Sequence, residues 1–94
     1  MKKIYKYELK ITDKQVIKMP IDYKILCAKN QNGFLVIYAQ VETDYKLIPV
    51  QLELIGTGNA IEEPEELFAH WVYIDTVMMD NGLVWHVYNN LAPF

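Results

Sequence analysis

Residues 3 to 11 read "KIYKYELKI". Tyr5, Tyr7, Leu9 and Ile11 fall on one side of an extended chain, and Lys6, Glu8 and Lys10 on the other. Successive side chains of a β-strand point to opposite faces, so this alternation marks a strand with one wet side.

The same period of two recurs outward from this stretch. "TDK" (12–14) reads as a turn, and "QVIKMP" (15–20) as a second strand ended by Pro20 and expected to form a hairpin with the first. "KILCAK" (24–29) is a third strand, followed by "NQNG" (30–33), where Asn32-Gly33 supplies the positive φ angles of a tight hairpin. "FLVIYAQV" (34–41) is nearly continuous in apolar residues, which places it centrally in a sheet with both faces covered. "KLIPVQLELI" (46–55) alternates again, with Ile48, Val50, Leu52 and Leu54 inward and Gln51 and Glu53 outward. Pro49 lacks an amide donor, so that strand is expected at an edge or with a bulge. "VYIDTVMM" (72–79) and "LVWHVY" (83–88) flank Asp80-Asn81-Gly82, the strongest hairpin signal in the chain. "PEELFAHW" (64–71) predicts one or two helical turns, with Pro64 at the first helical position and acids at the N-terminus. So short a helix is marginal alone, so Phe68 and Trp71 are expected to anchor it by packing. The reading is an all-β, mainly antiparallel fold of six or seven strands, a small sandwich or barrel. At most one short helix lies near 64–71, and residues 1–94 form one domain.

Composition limits the chemistry. Apolar residues make up 52% of the 94, enough for one core. A chain of this size buries roughly 60–65% of its unfolded surface, so association is a natural route to more burial. Residues 1–29 carry eight lysines against three acids, whereas residues 42–80 carry nine acids against Lys46 alone. Such a dipolar surface can pair head to tail or steer an anion to one side. No arginine occurs, and arginine is the preferred group for bidentate base-edge contacts, so sequence-specific nucleic-acid binding is not expected. The single cysteine, Cys27, allows no internal disulfide and fits a reducing compartment. No apolar run reaches the roughly 18 residues of a membrane span, and "MKKIYKYELK" lacks the apolar core of a secretory signal. The expected setting is cytoplasm, with no membrane partner.

The loop "IGTGNAIEEPEE" (55–66) poses the main functional question. Gly56, Thr57, Gly58 and Asn59 resemble a phosphate cradle, but no Gly-Lys-Ser/Thr ending follows, and Ile61 stands where a dinucleotide fingerprint needs glycine. Glu62, Glu63, Glu65 and Glu66 would repel a phosphate unless lysines from elsewhere overrode them. The simpler reading is a strand exit that needs a positive φ, whose small residues still let a ligand approach the backbone. His70 and His86 have no metal spacing, so no metal and no cofactor are expected. His86 and Tyr88 share one face of the last strand, a candidate ligand contact. Cys27 lies in an apolar strand, where thiols are inert, and the chain contains no serine, so no catalytic residue is assigned. Lys6 and Lys10, interleaved with Tyr5 and Tyr7, are the candidate anion contacts.

Taken in order, "IYKYELKITDKQVIKMP", "KIL", "QNG", "LELIGTG" and "GLVWHVY" resemble a family of small uncharacterised phage and prophage proteins, over residues 4 to 88. "EEPEELFAHW" and the tail "NNLAPF" depart from that pattern. The resemblance implies a phage-encoded accessory protein in a bacterial cytoplasm that antagonises host defence by binding. The expected function is sequestration of a small anionic ligand, a nucleotide immune signal, at a homo-oligomer interface. Lys6 or Lys10 would meet the Gly56–Asn59 loop, His86 and Tyr88 of a neighbouring copy. The alternatives are an inhibitor that binds a host defence protein, through an edge strand or the acidic 62–66 loop, and a structural virion component.

Overall fold

The computed structural model describes residues 1–93. Seven strands form two antiparallel sheets: β1 (Lys2–Glu8), β2 (Lys14–Pro20), β3 (Lys24–Gln31), β4 (Phe34–Glu42), β5 (Leu47–Gly56), β6 (Trp71–Met78) and β7 (Val84–Asn90). One four-residue helix, α1 (Glu65–Phe68), stands between β5 and β6. The three-stranded sheet has the order β1-β4-β3, and the four-stranded sheet β2-β5-β7-β6. The fold is thus a small sandwich and not a closed barrel.

The alternating residues of β4 and β5 build the core. Leu35, Ile37, Ala39 and Val41 from one sheet face Val50, Leu52 and Leu54 from the other, with Met19, Val77 and Val87 beside them, all at most 4% exposed. Each such aliphatic side chain removed from water contributes about 1.5–3 kcal/mol. Both expected tight hairpins are present: Asn32 and Gly33 turn β3 into β4, and Gly82 lies between β6 and β7, all three at positive φ.

Three expectations are corrected. β1 and β2 are not a hairpin: β1 pairs with β4, and β2 with β5 in the other sheet. Leu9 keeps its amide bond to the Leu35 carbonyl and is buried, after which the chain crosses between sheets, tied by Gln15 to both the amide and the carbonyl of Lys10. Alternation defines the faces of a strand but not its neighbour. β5 is an internal strand despite Pro49, because its ladder with β7 begins at Gln51 and the proline lies beyond it, where only β2 pairs. The inner side of β1 is poorly covered: Tyr5 is 39% exposed and no residue of the strand is buried.

The sheets meet along one side through edge strands β3 and β6. Each carries a bulge, β3 between Ile25 and Cys27 and β6 between Tyr73 and Asp75. Asp75 accepts the amide of Ala28 at 3.1 Å, and Asn30 donates to the Met78 carbonyl at 3.2 Å and to the Asp80 carboxylate at 2.8 Å. The closure is therefore made by polar side chains bridging two strand edges.

Candidate functional site

The candidate site lies on the outer face of the four-stranded sheet. Register places Tyr88 between Glu53 of β5 and Tyr73 of β6, and His86 between Ile55 and Thr76. The bulge in β6 sends Trp71 and Tyr73 outward while Asp75 and Val77 turn to the core. The chain of 57–70 returns over this face. Its helix has no side-chain cap, and the Pro64 carbonyl accepts the amides of Leu67 and Phe68. Phe68 secures it, with ring centroids 5.0 Å from Trp71 and 5.8 Å from Tyr88. Trp71 and Tyr73 lie 5.6 and 5.7 Å from Tyr88, so four aromatic rings form one wall.

Gly56 and Gly58 have separate reasons. A Cβ on Gly56 would lie 2.7 Å from Asn59 Nδ2 and 3.4 Å from the Trp85 ring. Gly58 adopts φ +88° in open space, the left-handed conformation that glycine tolerates best. The tight turn between them, closed by the Asn59 amide on the Gly56 carbonyl, carries Thr57 over His86. Thr57 Oγ1 lies 2.7 Å from His86 Nε2, Thr76 Oγ1 lies 3.0 Å from His86 Nδ1, and Tyr73 Oη lies 2.6 Å from Thr76 Oγ1. Both imidazole nitrogens are therefore engaged by hydroxyls, which donate or accept as the tautomer requires.

Beside this chain of hydroxyls, a cavity of about 530 Å³ opens under the loop. Glu53 and Trp71 line it from the sheet, Asn59, Glu62 and Glu63 from the loop, Asp13 from the β1–β2 connection and Lys14 from the start of β2. Glu53 is only 6% exposed, and Asn90 Nδ2 donates to one of its oxygens at 3.2 Å. Burial pushes its carboxyl above the ordinary glutamate range, the Asn90 hydrogen bond and Lys14 pull it back, and Glu63 and Asp13 add to the rise. The indole N–H of Trp71 is buried with no acceptor among the described residues. A buried donor without a partner costs about 1–3 kcal/mol. A second cavity of about 380 Å³ lies across the loop, lined by Gly56, Thr57, Asn59 and Trp85.

Six of the expected site residues come together here: Gly56, Thr57, Gly58, Asn59, His86 and Tyr88. Lys6 does not. It projects beside Tyr38 on the outer face of the three-stranded sheet, because β1 joins that sheet. Lys10 sits in the β1–β2 connection, where Gln15 holds its backbone; the lysine that lines the main cavity is Lys14. Glu53 and Trp71 escaped sequence reasoning as site residues. Alternation marks Glu53 as outward and hence wet; the available signal was the apolar pair Phe68 and Trp71, which had to cover some part of that face. Among the described residues no three His, Cys, Asp or Glu gather as metal ligands, and no helix is long and apolar enough to cross a membrane.

Fold and site define an antiparallel β-sandwich that presents an aromatic, acid-lined face under a return loop. The chain belongs to the domain of unknown function DUF7352, whose family profile matches residues 1–93. No curated protein and no solved structure gives a significant match.

Proposed function

We propose that this protein captures a small ligand without transforming it, and that the ligand is a nucleotide signal held in the loop-roofed cavity. The observation that carries the reading is the pairing of an unanswered indole donor with a buried acceptor. Trp71 and Glu53 line one cavity, and the indole N–H, buried there, has no acceptor among the described residues. A planar heterocycle bearing both acceptors and donors matches that pair once a small shift uncovers the indole edge, and the Trp71 ring offers a stacking surface. The phosphates belong outside. Asp13, Glu53, Glu62 and Glu63 oppose them inside, with only Lys14 in favour. Lysines of a neighbouring copy would complete the anion contacts, which motivates a homo-oligomer. The sequence resemblance motivates the biological setting: a phage-encoded counter-defence protein in the cytoplasm of a bacterial host.

Catalysis is not part of the proposal. Thr57 and His86 have the spacing of a nucleophile and its base, but the group orienting His86 is the Thr76 hydroxyl and not a carboxylate that would stabilise an imidazolium. Native mass spectrometry of protein purified from bacteria, before and after denaturation, tests the reading. A nucleotide-sized mass released on denaturation, and lost in Trp71→Phe, is expected. Protein that stays bare after incubation with a nucleotide extract from defence-activated cells would overturn it.

A second reading has its own observation. Glu62, Glu65 and Glu66 are exposed, and among the described residues none has an ion-pair partner. This acidic segment would mimic nucleic-acid charge and occupy a basic surface of a host defence protein. One stoichiometric host partner in a pull-down, released on changing these glutamates to glutamine, would favour it.

A further inference from the structure

We propose that β1 pairs with β1 of a second copy, antiparallel about a two-fold axis at Tyr5, and joins two three-stranded sheets into one. The proposal takes up the homo-oligomer half of the function above and stands apart from its ligand half.

The strand is built for a neighbour it lacks within one chain. It is an edge strand, and none of its seven residues is buried, although all seven pair with β4. Ile4 is 62% exposed on the outer face. Tyr5 and Tyr7 meet edge to face at 6.3 Å on the inner face, where the opposing sheet leaves Tyr5 39% exposed. The Leu9 amide and the Met1 carbonyl bond to the β4 side, so the odd-numbered residues turn their backbone groups to β4. The even-numbered residues Lys2, Ile4, Lys6 and Glu8 therefore turn theirs outward. Such a row of free donors and acceptors is a template for another strand.

Charge selects the occupant and the register. With the axis at Tyr5, Lys2 lies opposite Glu8 of the second copy, and the symmetry repeats this pair. Ile4 lies opposite Lys6, Lys3 opposite Tyr7, and Tyr5 opposite itself. No lysine faces a lysine. Moving the axis to Ile4 sets Lys2 against Lys6 twice, and moving it to Lys6 sets Lys6 against itself. Moving it to Tyr7 keeps a favourable Lys6–Glu8 pair but leaves only residues 6–8 of the strand paired. Opposite charges across a strand pair stabilise and like charges destabilise, so the register centred on Tyr5 is the one that pairs the whole strand with no lysine against a lysine. Among the described residues neither Lys2 nor Glu8 has an ion-pair partner within the chain, so both are available.

Light scattering coupled to size exclusion, on the full chain freed of small molecules, tests this. The expected mass is twice the 11.0 kDa of one chain. Glu8→Lys replaces two attractive pairs with two repulsive ones and should weaken the dimer roughly tenfold or more. The exchange Lys2→Glu with Glu8→Lys should restore it. Ile4→Pro removes an outward amide, leaves the ladder with β4 intact, and should give a monomer whose circular dichroism is unchanged. A single-chain mass at every soluble concentration would overturn the proposal. So would a dimer indifferent to both Glu8→Lys and Ile4→Pro. Because the protein carries no nucleotide in this experiment, failure of the ligand reading leaves the result untouched.

Discussion

Asp75→Ala should loosen the joined side of the sandwich by an amount that follows from two hydrogen bonds. Asp75 accepts the Ala28 amide across the sheets at 3.1 Å and the Thr76 amide within its own strand at 2.9 Å. The second bond is exposed, so water replaces it at little cost. The first belongs to Ala28, which is 2% exposed, so its amide would have no substitute. A hydrogen bond to a charged acceptor contributes about 1.5–3 kcal/mol, and an orphaned buried donor costs a similar amount. The expected loss is about 2 kcal/mol, or roughly 8–16 °C in Tm for a domain of this size. Urea unfolding would show a lower midpoint with an unchanged slope, and exchange of the Ala28 amide would speed up. Asp75→Asn retains an acceptor oxygen and should lose about half as much. An Asp75→Ala variant within about 0.5 kcal/mol of the parent, the range of a neutral surface change, would refute the claim that this carboxylate closes the sandwich.

Three further outcomes are expected. Because the Glu53 carboxyl titrates above its ordinary value of 4.5, its stabilising protonated form is fully present below that value and lost as pH rises through the folded one. Glu53→Gln should accordingly raise Tm at pH 7 and flatten its decline above pH 4.5; an equal decline in both proteins would count against a desolvated carboxyl. Leu52→Ala, at a position with 0% exposure between the sheets, should lower the urea-derived stability by about 2–5 kcal/mol. Gly58→Ala meets no atom within 4 Å, so only its φ of +88° opposes the change, and the loss should be about 1 kcal/mol by thermal melting.

The faces of β5 and both tight hairpins are legible in the sequence, because alternation and Asn-Gly pairs act over a few residues. β4 is less so: its continuous apolar run reads as covered on both faces, yet only the Leu35, Ile37, Ala39 and Val41 face packs on the other sheet, and Phe34 on the opposite face is 55% exposed. The partner of β1 is not. Tyr5, Tyr7 and Leu9 declare an inner face whether the strand beside them is β2 or β4, and the choice depends on contacts far along the chain. The bulges hide in the same way. Trp71, Tyr73, Asp75 and Val77 are spaced two apart and read as one face, yet the register shift after Tyr73 sends the first two outward and the last two inward. The site shares that fate. The Gly56–Asn59 loop, His86 and Tyr88 meet because β5 and β7 are neighbours, while Lys6 belongs to a strand whose sheet the sequence leaves open. Glu53 appears wet until the return chain covers it.

The sandwich is thin, with Cα extents of 40 × 35 × 16 Å. One broad face carries Lys2, Lys6, Lys24 and Lys29 against Glu8 and Glu42; the other, with its covering loop, carries Glu53 and four further glutamates against Lys14 and Lys18. At physiological ionic strength charges are screened over about 8 Å, half the thickness of the plate. A diffusing partner then senses one face at a time, basic or acidic according to its approach. In dilute buffer the screening distance grows to about 30 Å, the two fields overlap, and the same molecule presents itself as a single anion of charge −3. Ionic strength therefore changes the sign of the charge that a partner senses from a distance on the lysine side, with no change in structure, while the face itself stays basic on contact.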